Sequence, residues 1–94
     1  MRQEFTSKKY QASDIETIKG LGTRYRFNFP NGYGLSVVNY GYGDEKAPFE
    51  IAVFFNKEID YSVIENGVLG YLTAEEVESW LDNVQELYGG AIDD

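Results

Sequence analysis

Histidine and cysteine, the residue types that carry most nucleophilic and metal chemistry, are absent from this chain of 94 residues. Their absence excludes Ser–His and Cys–His catalysis, disulfides, thiolate metal sites and the commonest zinc sites. General acid–base catalysis would fall to carboxylates, lysine or tyrosine, and the carboxylates cluster on predicted solvent-facing surfaces. The sequence therefore predicts a protein that is not an enzyme and that holds no metal or cofactor.

The acidic residues are concentrated in the last third of the chain. All eight basic residues lie at or before Lys57, where six acids leave a net charge of +2. From Glu58 onward there are ten acids and no base, so this segment has a net charge of −10. Together with the +2 of the earlier residues, this gives the chain its net charge of −8. Such a field disfavours direct binding to nucleic acid. Two interpretations stay open: the acids keep the protein in solution, or they contact a basic groove of a partner protein.

Four of these acids recur at helical spacing. Glu75, Glu78, Asp82 and Glu86, hereafter the acidic helix stripe, lie three or four residues apart. At a rise of about 1.5 Å per residue, neighbouring members are about 5–6 Å apart along a helix. A stripe of this kind can imitate part of a phosphate backbone and occupy the nucleic-acid channel of a host enzyme. The alternative is an ordinary solvated helix face.

Arg24 and Arg26 form the second candidate site. A spacing of two residues puts them on one face of a strand, and Asn28 continues the row. Together with tyrosines of the following loop they would make a small basic and aromatic patch that binds an anionic group, such as a nucleotide, or a carboxylate of a partner. The alternative is that both arginines pair with acids of the same sheet, such as Glu50.

A loop rich in glycine and tyrosine is the third candidate. Tyrosine on a pliant loop offers contact area at little entropic cost, which favours recognition of a partner. The G-x-G pairs at 20–22 and 41–43 do not continue into a phosphate-binding fingerprint, and no EF-hand spacing surrounds the acids of the loop. The predicted partner-binding residues of this loop are Tyr40, Tyr42, Asp44 and Glu45.

Alternating polarity predicts the sheet that positions these residues. Residues 23–29 (TRYRFNF) alternate with aromatic side chains on one face. Residues 30–32 (PNG) are typical of a β-turn, so residues 33–40 are predicted to return antiparallel to the first strand. Residues 49–55 (FEIAVFF) predict a third strand that lies centrally in the sheet or is covered on both faces, and residues 59–63 predict a short fourth strand.

A C-terminal helix is predicted over residues 73–88. Thr73 and Glu76 have the spacing of a capping box, and Leu72 and Val77 that of a hydrophobic staple. Gly89-Gly90 is predicted to end the helix. The apolar stripe consists of Val77, Trp80, Leu81, Val84, Leu87 and Tyr88.

The remaining segments complete a prediction of one α+β domain over residues 1–94. Residues 1–12 have little pattern and are predicted to be a flexible arm. Ser13 to Glu16 has a second capping-box spacing, which predicts a single helical turn before Gly20. The predicted fold is an antiparallel meander of three or four strands over residues 23–63, with the C-terminal helix packed on one face. No apolar run approaches a membrane span and no signal-peptide pattern is present, so we expect a cytoplasmic protein.

Three runs of the sequence resemble a family of small, uncharacterised, acidic phage and prophage proteins. They are RYRFNFPNGYGLSVV, FEIAVFF and LGYLTAEEVESWLDNVQEL, and together they span Arg24 to Leu87. The shared motifs are a hairpin turn and a capped helix, and the family brings no catalytic residues. The resemblance implies a context in which small acidic proteins bind and inhibit host proteins, including CRISPR effectors and other defence enzymes.

Three hypotheses of function follow. The first is a non-enzymatic phage-type protein that inhibits or redirects a host protein, plausibly a nucleic-acid-binding effector, in the host cytoplasm. The second is a small-ligand or nucleotide-binding module that uses Arg24, Arg26 and the loop tyrosines. The third is a virion or assembly component that self-associates. The sequence leaves monomer and homodimer open, since an exposed strand edge can pair with a second copy.

Overall fold

A computed structural model describes residues 4–40 and 46–87, which form an antiparallel sheet with one helix against it. Strands β1 to β5 lie side by side in chain order, and β6 pairs with β4. The predicted α+β fold, the antiparallel meander and the helix on one face are confirmed, although the sheet has six strands rather than three or four. The elements are β1 (Asp14–Ile18), β2 (Gly22–Asn28), β3 (Tyr33–Val38), β4 (Phe49–Phe55), β5 (Glu58–Ile59), β6 (Leu69–Leu72) and α1 (Ala74–Gln85).

The β2–β3 hairpin is antiparallel, as predicted, and its strands lie within two residues of the predicted bounds. Tyr25 and Phe27 are buried, and Arg26 on the other face lies opposite Ser36 of β3. Gly32 takes φ +91° in the turn, where the left-handed backbone suits glycine. The alternation of aromatic and polar residues therefore fixes which face of β2 enters the core.

The core lies between the sheet and α1. Three residues of β4 and three of α1 meet there, each no more than 1% exposed: Phe49, Ile51, Val53, Val77, Leu81 and Val84. Trp80 is partly buried against this cluster. Helix α1 contacts β3, β4 and β6, so the central strands carry most of the buried surface.

The start of α1 follows the predicted capping box. Thr73 Oγ1 accepts a hydrogen bond from the Glu76 amide (3.1 Å), and Glu76 Oε1 accepts one from the Thr73 amide (2.8 Å). Leu72 and Val77 are both buried beside the cap, as the staple requires. The helix is shorter than the predicted 73–88, and Tyr88, Gly89 and Gly90 lie outside the described residues.

The end of α1 is bound by the hairpin turn. The Asn31 side-chain nitrogen lies within hydrogen-bond distance of the carbonyl oxygens of Val84 (2.9 Å), Gln85 (3.3 Å) and Leu87 (2.7 Å). Its Oδ1 accepts from the Tyr33 amide at 2.9 Å. Because the last carbonyls of a helix lack partners within the helix, Asn31 joins the hairpin turn to the helix end.

The predicted helical turn after Ser13 is wrong, because residues 14–18 form strand β1. Ser13 Oγ accepts from the Asn28 amide at 3.1 Å, not from the amide of Glu16. Pairing with β2 satisfies the backbone of this segment through Asp14↔Arg26 to Ile18↔Gly22. A sheet edge therefore overrides a local capping signal.

The flexible arm predicted over residues 1–12 is also wrong for the described residues 4–12. Phe5 is 4% exposed and makes edge-to-face contacts with Tyr25, Phe27 and Phe49 at centroid distances of 6.1, 5.9 and 5.4 Å. The side chain of Phe5 therefore packs in the core and anchors residues 4–12 to the sheet.

The fourth strand predicted over residues 59–63 is wrong in its bounds. β5 covers Glu58–Ile59 alone and pairs with Phe54 and Phe55. Strand β6, which the sequence did not indicate, pairs with β4 nearer to Phe49. Gly70 and Tyr71, the latter at φ +59°, interrupt the regular strand pattern that sequence reasoning depends on.

Candidate functional site

The acidic helix stripe is divided by contacts with residues 7–10. Glu78 accepts hydrogen bonds from the Ser7 hydroxyl (2.7 Å) and from the Lys8 amide (3.1 Å). Asp82 accepts from Lys9 Nζ at 2.9 Å and from the Tyr10 hydroxyl at 2.8 Å. The two central carboxylates of the stripe therefore hold an earlier part of the chain against α1.

The ionisation of this cluster follows from its hydrogen bonds. Those from Lys9 and Tyr10 lower the pKa of Asp82. The same contact raises the pKa of Lys9, and desolvation together with the hydrogen bond to Asp82 raises the pKa of Tyr10 to about 12. Each shift favours the protonation states that make the contact at neutral pH.

Glu75 and Glu86, the outer members of the stripe, are exposed. They lie on either side of the two engaged carboxylates, so the stripe does not present four free acids in a row. This part of the helix combines an intramolecular contact with two accessible charges.

Arg24 and Arg26 share a strand face, as predicted, but have different partners. Arg24 Nη2 forms a salt bridge with Glu16 of β1, rather than with Glu50. The Arg26 guanidinium carbon lies 4.6 Å from the ring centroid of Phe54 on β4, which is cation–π distance. The two side chains thus diverge across the sheet and do not form one patch.

Arg26 borders a cavity of about 390 Å³ on the sheet face opposite α1 and at the adjoining hairpin end. The cavity is also lined by Asn28, Asn56, Lys57 and aromatic rings that include Phe54. Arg26 Nε is buried and has no hydrogen-bond partner among the described residues. The cavity therefore combines apolar walls with a guanidinium group whose Nε lacks a hydrogen-bond partner among the described residues.

The glycine–tyrosine loop is described only at its first residue. Tyr40 is half-buried and ends the described part of the segment after β3. Tyr42, Asp44 and Glu45, the other predicted contact residues of this loop, lie outside the described residues.

A surface that sequence reasoning missed lies around β5 and β6. The described chain has six exposed large hydrophobic residues, and all but Ile15 fall within one stretch. Tyr61 is 61% exposed and Tyr71 is 67% exposed. We call the five residues of this stretch the β5–β6 surface: Ile59, Tyr61, Val68, Leu69 and Tyr71.

Gly67 allows two residues of this surface, Ile59 and Tyr61, to lie close to the turn before β6. A Cβ atom at Gly67 would lie 2.8 Å from Tyr61 Cε1 and 3.4 Å from Ile59 Cγ2. The glycine also takes φ +82°, so it permits the close approach of Tyr61 to the turn before β6. Asp60 accepts hydrogen bonds from the Ser62 amide (2.8 Å) and hydroxyl, which orders the start of the same turn.

The charges of this segment have one sign. Glu58, Asp60 and Glu65 lie within or beside the stretch that carries the β5–β6 surface, and no base occurs from Glu58 onward. The sequence did contain a signal for this surface: residues 59–72 hold many large apolar residues that follow no regular period. A regular period would have indicated that they lie in the core.

Within the described residues, 4–40 and 46–87, no three acidic side chains are grouped so that they could hold a metal ion. Within the same ranges, no helix has the length and apolar character that a membrane span requires.

Comparison of the chain with protein-family models, with curated proteins and with solved structures finds no match.

Proposed function

We propose that this chain is a non-enzymatic binding protein that presents the β5–β6 surface to a partner protein of basic character. One observation carries the proposal: five exposed large apolar side chains fall in one stretch of a segment whose charges are all acidic. Exposed apolar surface rimmed by polar groups is typical of protein-interaction sites.

The composition of the surface suits recognition of another protein. Tyr61 and Tyr71 are aromatic residues of the type enriched at interface centres. The neighbouring carboxylates of Glu58 and Glu65 would accelerate association with a basic partner and disfavour acidic ones. Apolar contact would supply affinity, and charge would supply partner choice.

The resemblance to small phage proteins makes a host protein the proposed partner, in the host cytoplasm. A nucleic-acid-binding effector, such as a CRISPR or other defence enzyme, has the basic groove that an acidic surface would fit. Glu75 and Glu86 are the members of the acidic helix stripe that remain available for such a contact, because Glu78 and Asp82 bind residues 7–10. Inhibition would then follow from occupation of the groove.

Co-purification from host-cell lysate at low and at high salt tests this proposal. We expect wild-type protein to retain a basic protein, and a Tyr61→Ser, Tyr71→Ser double variant to lose it. Ile15→Ser is the matched control, because Ile15 is 59% exposed but lies on β1 at the far edge of the sheet. Retention by the double variant, or equal loss with Ile15→Ser, would contradict the proposal.

Self-association is the mark of the remaining hypothesis, a virion or assembly component. β1 and β6 are both edge strands in the described sheet, and an unpaired edge can accept another strand. Sedimentation of wild-type protein over a range of concentrations separates the two: a monomer at all concentrations contradicts assembly, and a concentration-dependent oligomer supports it.

A further inference from the structure

The cavity beside Arg26 has an electrostatic character unlike that of the chain. Arg26 and Lys57 both line it, and no carboxylate of residues 4–40 or 46–87 does, although the chain carries a net charge of −8. Neither cation forms a salt bridge with a described residue, whereas Arg24, two residues from Arg26, is paired with Glu16. The cavity thus brings two cations together in an acidic protein. Asp60 lies nearby, since burial and this carboxylate raise the pKa of Tyr33.

Arg26 is held away from the acid nearest to it in the sheet. Its Cα partner in β1 is Asp14, yet its guanidinium lies over the Phe54 ring two strands away on the other side. The residue between them, Ser36 of β3, is small and buried, and its neighbour on this face, Gly34, has no side chain. These small residues leave the space across which Arg26 reaches Phe54.

The hydrogen-bonding capacity of the cavity is also unfilled. Arg26 Nε is buried without a partner among the described residues, and a buried donor left unsatisfied destabilises a fold. Asn28 and Asn56 bring side-chain amides to the same cavity, and amides both donate and accept hydrogen bonds. Polar groups that could orient a ligand therefore converge on an unneutralised guanidinium.

The apolar walls define the rest of the ligand. Phe29, Tyr33 and Phe54 line the cavity, and its volume of about 390 Å³ falls in the range of small-molecule sites. Guanidinium groups bind planar carboxylates and phosphates through paired hydrogen bonds, and aromatic side chains stack on flat rings.

We propose that this cavity binds a small aromatic anion, with its carboxylate or phosphate at Arg26 and Lys57 and its ring beside Phe54. Phe29 and Tyr33 border the cavity at the hairpin end, where their own rings pack on Tyr10 and Phe55. The amides of Asn28 and Asn56 orient the anionic group. This site lies outside the β5–β6 surface and does not require a partner protein, so its test is independent of the co-purification described above.

The test is a titration followed by backbone and arginine side-chain NMR signals of the intact protein. The probes are phenylacetate, phenyl phosphate and the neutral analogue phenylacetamide. We expect at least one anion to shift the signals of Arg26 Nε–Hε, Gly34 and Phe54 saturably, and phenylacetamide to produce no saturable shift. The tighter anion identifies whether the site prefers a carboxylate or a phosphate.

Matched variants assign the binding to the cavity. Arg26→Gln is expected to weaken the tighter anion by about tenfold, since it removes a charge-assisted hydrogen-bonding group, and Lys57→Gln by a few-fold. Arg24→Gln is the control, because Arg24 lies on the same strand face but is paired with Glu16. Lys57 is exposed, so its variant keeps the test informative if Arg26→Gln disturbs the fold.

Three outcomes would overturn the proposal. They are the absence of saturable shifts with both anions at millimolar concentration, equal shifts with phenylacetamide, and an Arg24→Gln effect as large as that of Arg26→Gln or Lys57→Gln. The last outcome would show a response to net charge rather than a site.

Discussion

Helix α1 and the β5–β6 surface are both acidic, but their side chains have different relations to the rest of the fold. On α1, Glu78 and Asp82 bind residues 7–10, and the opposite face of the helix is buried. Around β5 and β6, Glu58 and Glu65 form no salt bridge with described residues, and the apolar side chains are exposed. Similar composition therefore serves intramolecular packing in one region and leaves a free surface in the other.

The difference teaches how to interpret an acidic segment. The net charge alone does not distinguish a carboxylate that fixes a fold from one that meets a partner. The neighbouring side chains decide. Lys9 and Tyr10 reach Asp82 from 73 and 72 residues earlier in the chain. Tyr61 and Tyr71 instead lie exposed near acids that have no base in the same segment. Substitutions in the two regions should accordingly separate loss of stability from loss of binding.

The largest effect on stability is expected from Phe5→Ala on the α1 side. Removal of a buried phenylalanine costs about 3–5 kcal/mol, and Phe5 contacts three core aromatic rings. Urea unfolding followed by Trp80 fluorescence measures the change. Ile15→Ala is the control, because its exposed side chain should cost little, and equal stabilities of the two variants would show that residues 4–12 are not part of the folded unit.

Asp82→Asn should have a smaller effect that depends on pH. Because the pKa of Asp82 is lowered in the fold, its contribution is present above the ordinary value of 3.8 and is lost as the pH falls through the lowered value. The stability difference between wild type and variant should therefore be full at neutral pH and disappear in acid. Urea unfolding across this range checks the expectation, and a difference that is independent of pH contradicts it.

Tyr10 provides the alkaline counterpart of that test. Its pKa is raised from 10.0 to about 12 by burial and by the hydrogen bond to Asp82, so its contribution is present below pH 10.0 and is lost as the pH rises through about 12. An ultraviolet titration of tyrosinate should show a late step that Tyr10→Phe removes. The step should move to lower pH in Asp82→Asn, and an unchanged step would exclude the contact.

The smallest effect on stability is expected on the β5–β6 side, from Tyr71→Gly. The change should stay within about 0.5 kcal/mol, since the side chain is exposed and glycine adopts without strain the backbone that tyrosine occupies at φ +59°. Partner capture should nevertheless fall. A large loss of stability would mean that Tyr71 belongs to the fold, which would break the distinction between the two regions.

The elements with a regular period were predictable from the sequence. Alternation around Tyr25 and Phe27 predicted the β2 face, and Thr73 with Glu76 predicted the start of α1. Residues whose role depends on distant partners were not: Phe5 has no periodic neighbours, and Ser13 with Glu16 has a local helix signal that pairing with β2 overrides. A capping signal describes what a segment prefers alone, and a sheet edge can offer its backbone more hydrogen bonds.

The candidate sites show the same limit. The sequence placed Arg24 and Arg26 correctly on one face, but their different partners depend on β1, which was not predicted, and on the position of Phe54 across the sheet. The β5–β6 surface was missed because its exposed residues follow no period, and exposure is a property of the packed chain. The geometry of the candidate sites was therefore less predictable than the fold, because it depends on contacts between distant parts of the chain.

The contacts between residues 7–10 and α1 also impose an order on folding. Ser7 and Glu78 are 71 residues apart along the chain, and loop-closure entropy disfavours such distant contacts until intervening structure shortens the loop. The hairpin and the helix can form from nearby residues, whereas residues 7–10 can make their contacts with Glu78 and Asp82 only after the helix is present. During synthesis, this segment leaves the ribosome about 70 residues before its partners, a delay of several seconds at about 5–20 residues per second. The aromatic partners of Phe5 are made earlier, by residue 49, so Phe5 can pack on the sheet before the polar contacts of residues 7–10 with α1 are complete.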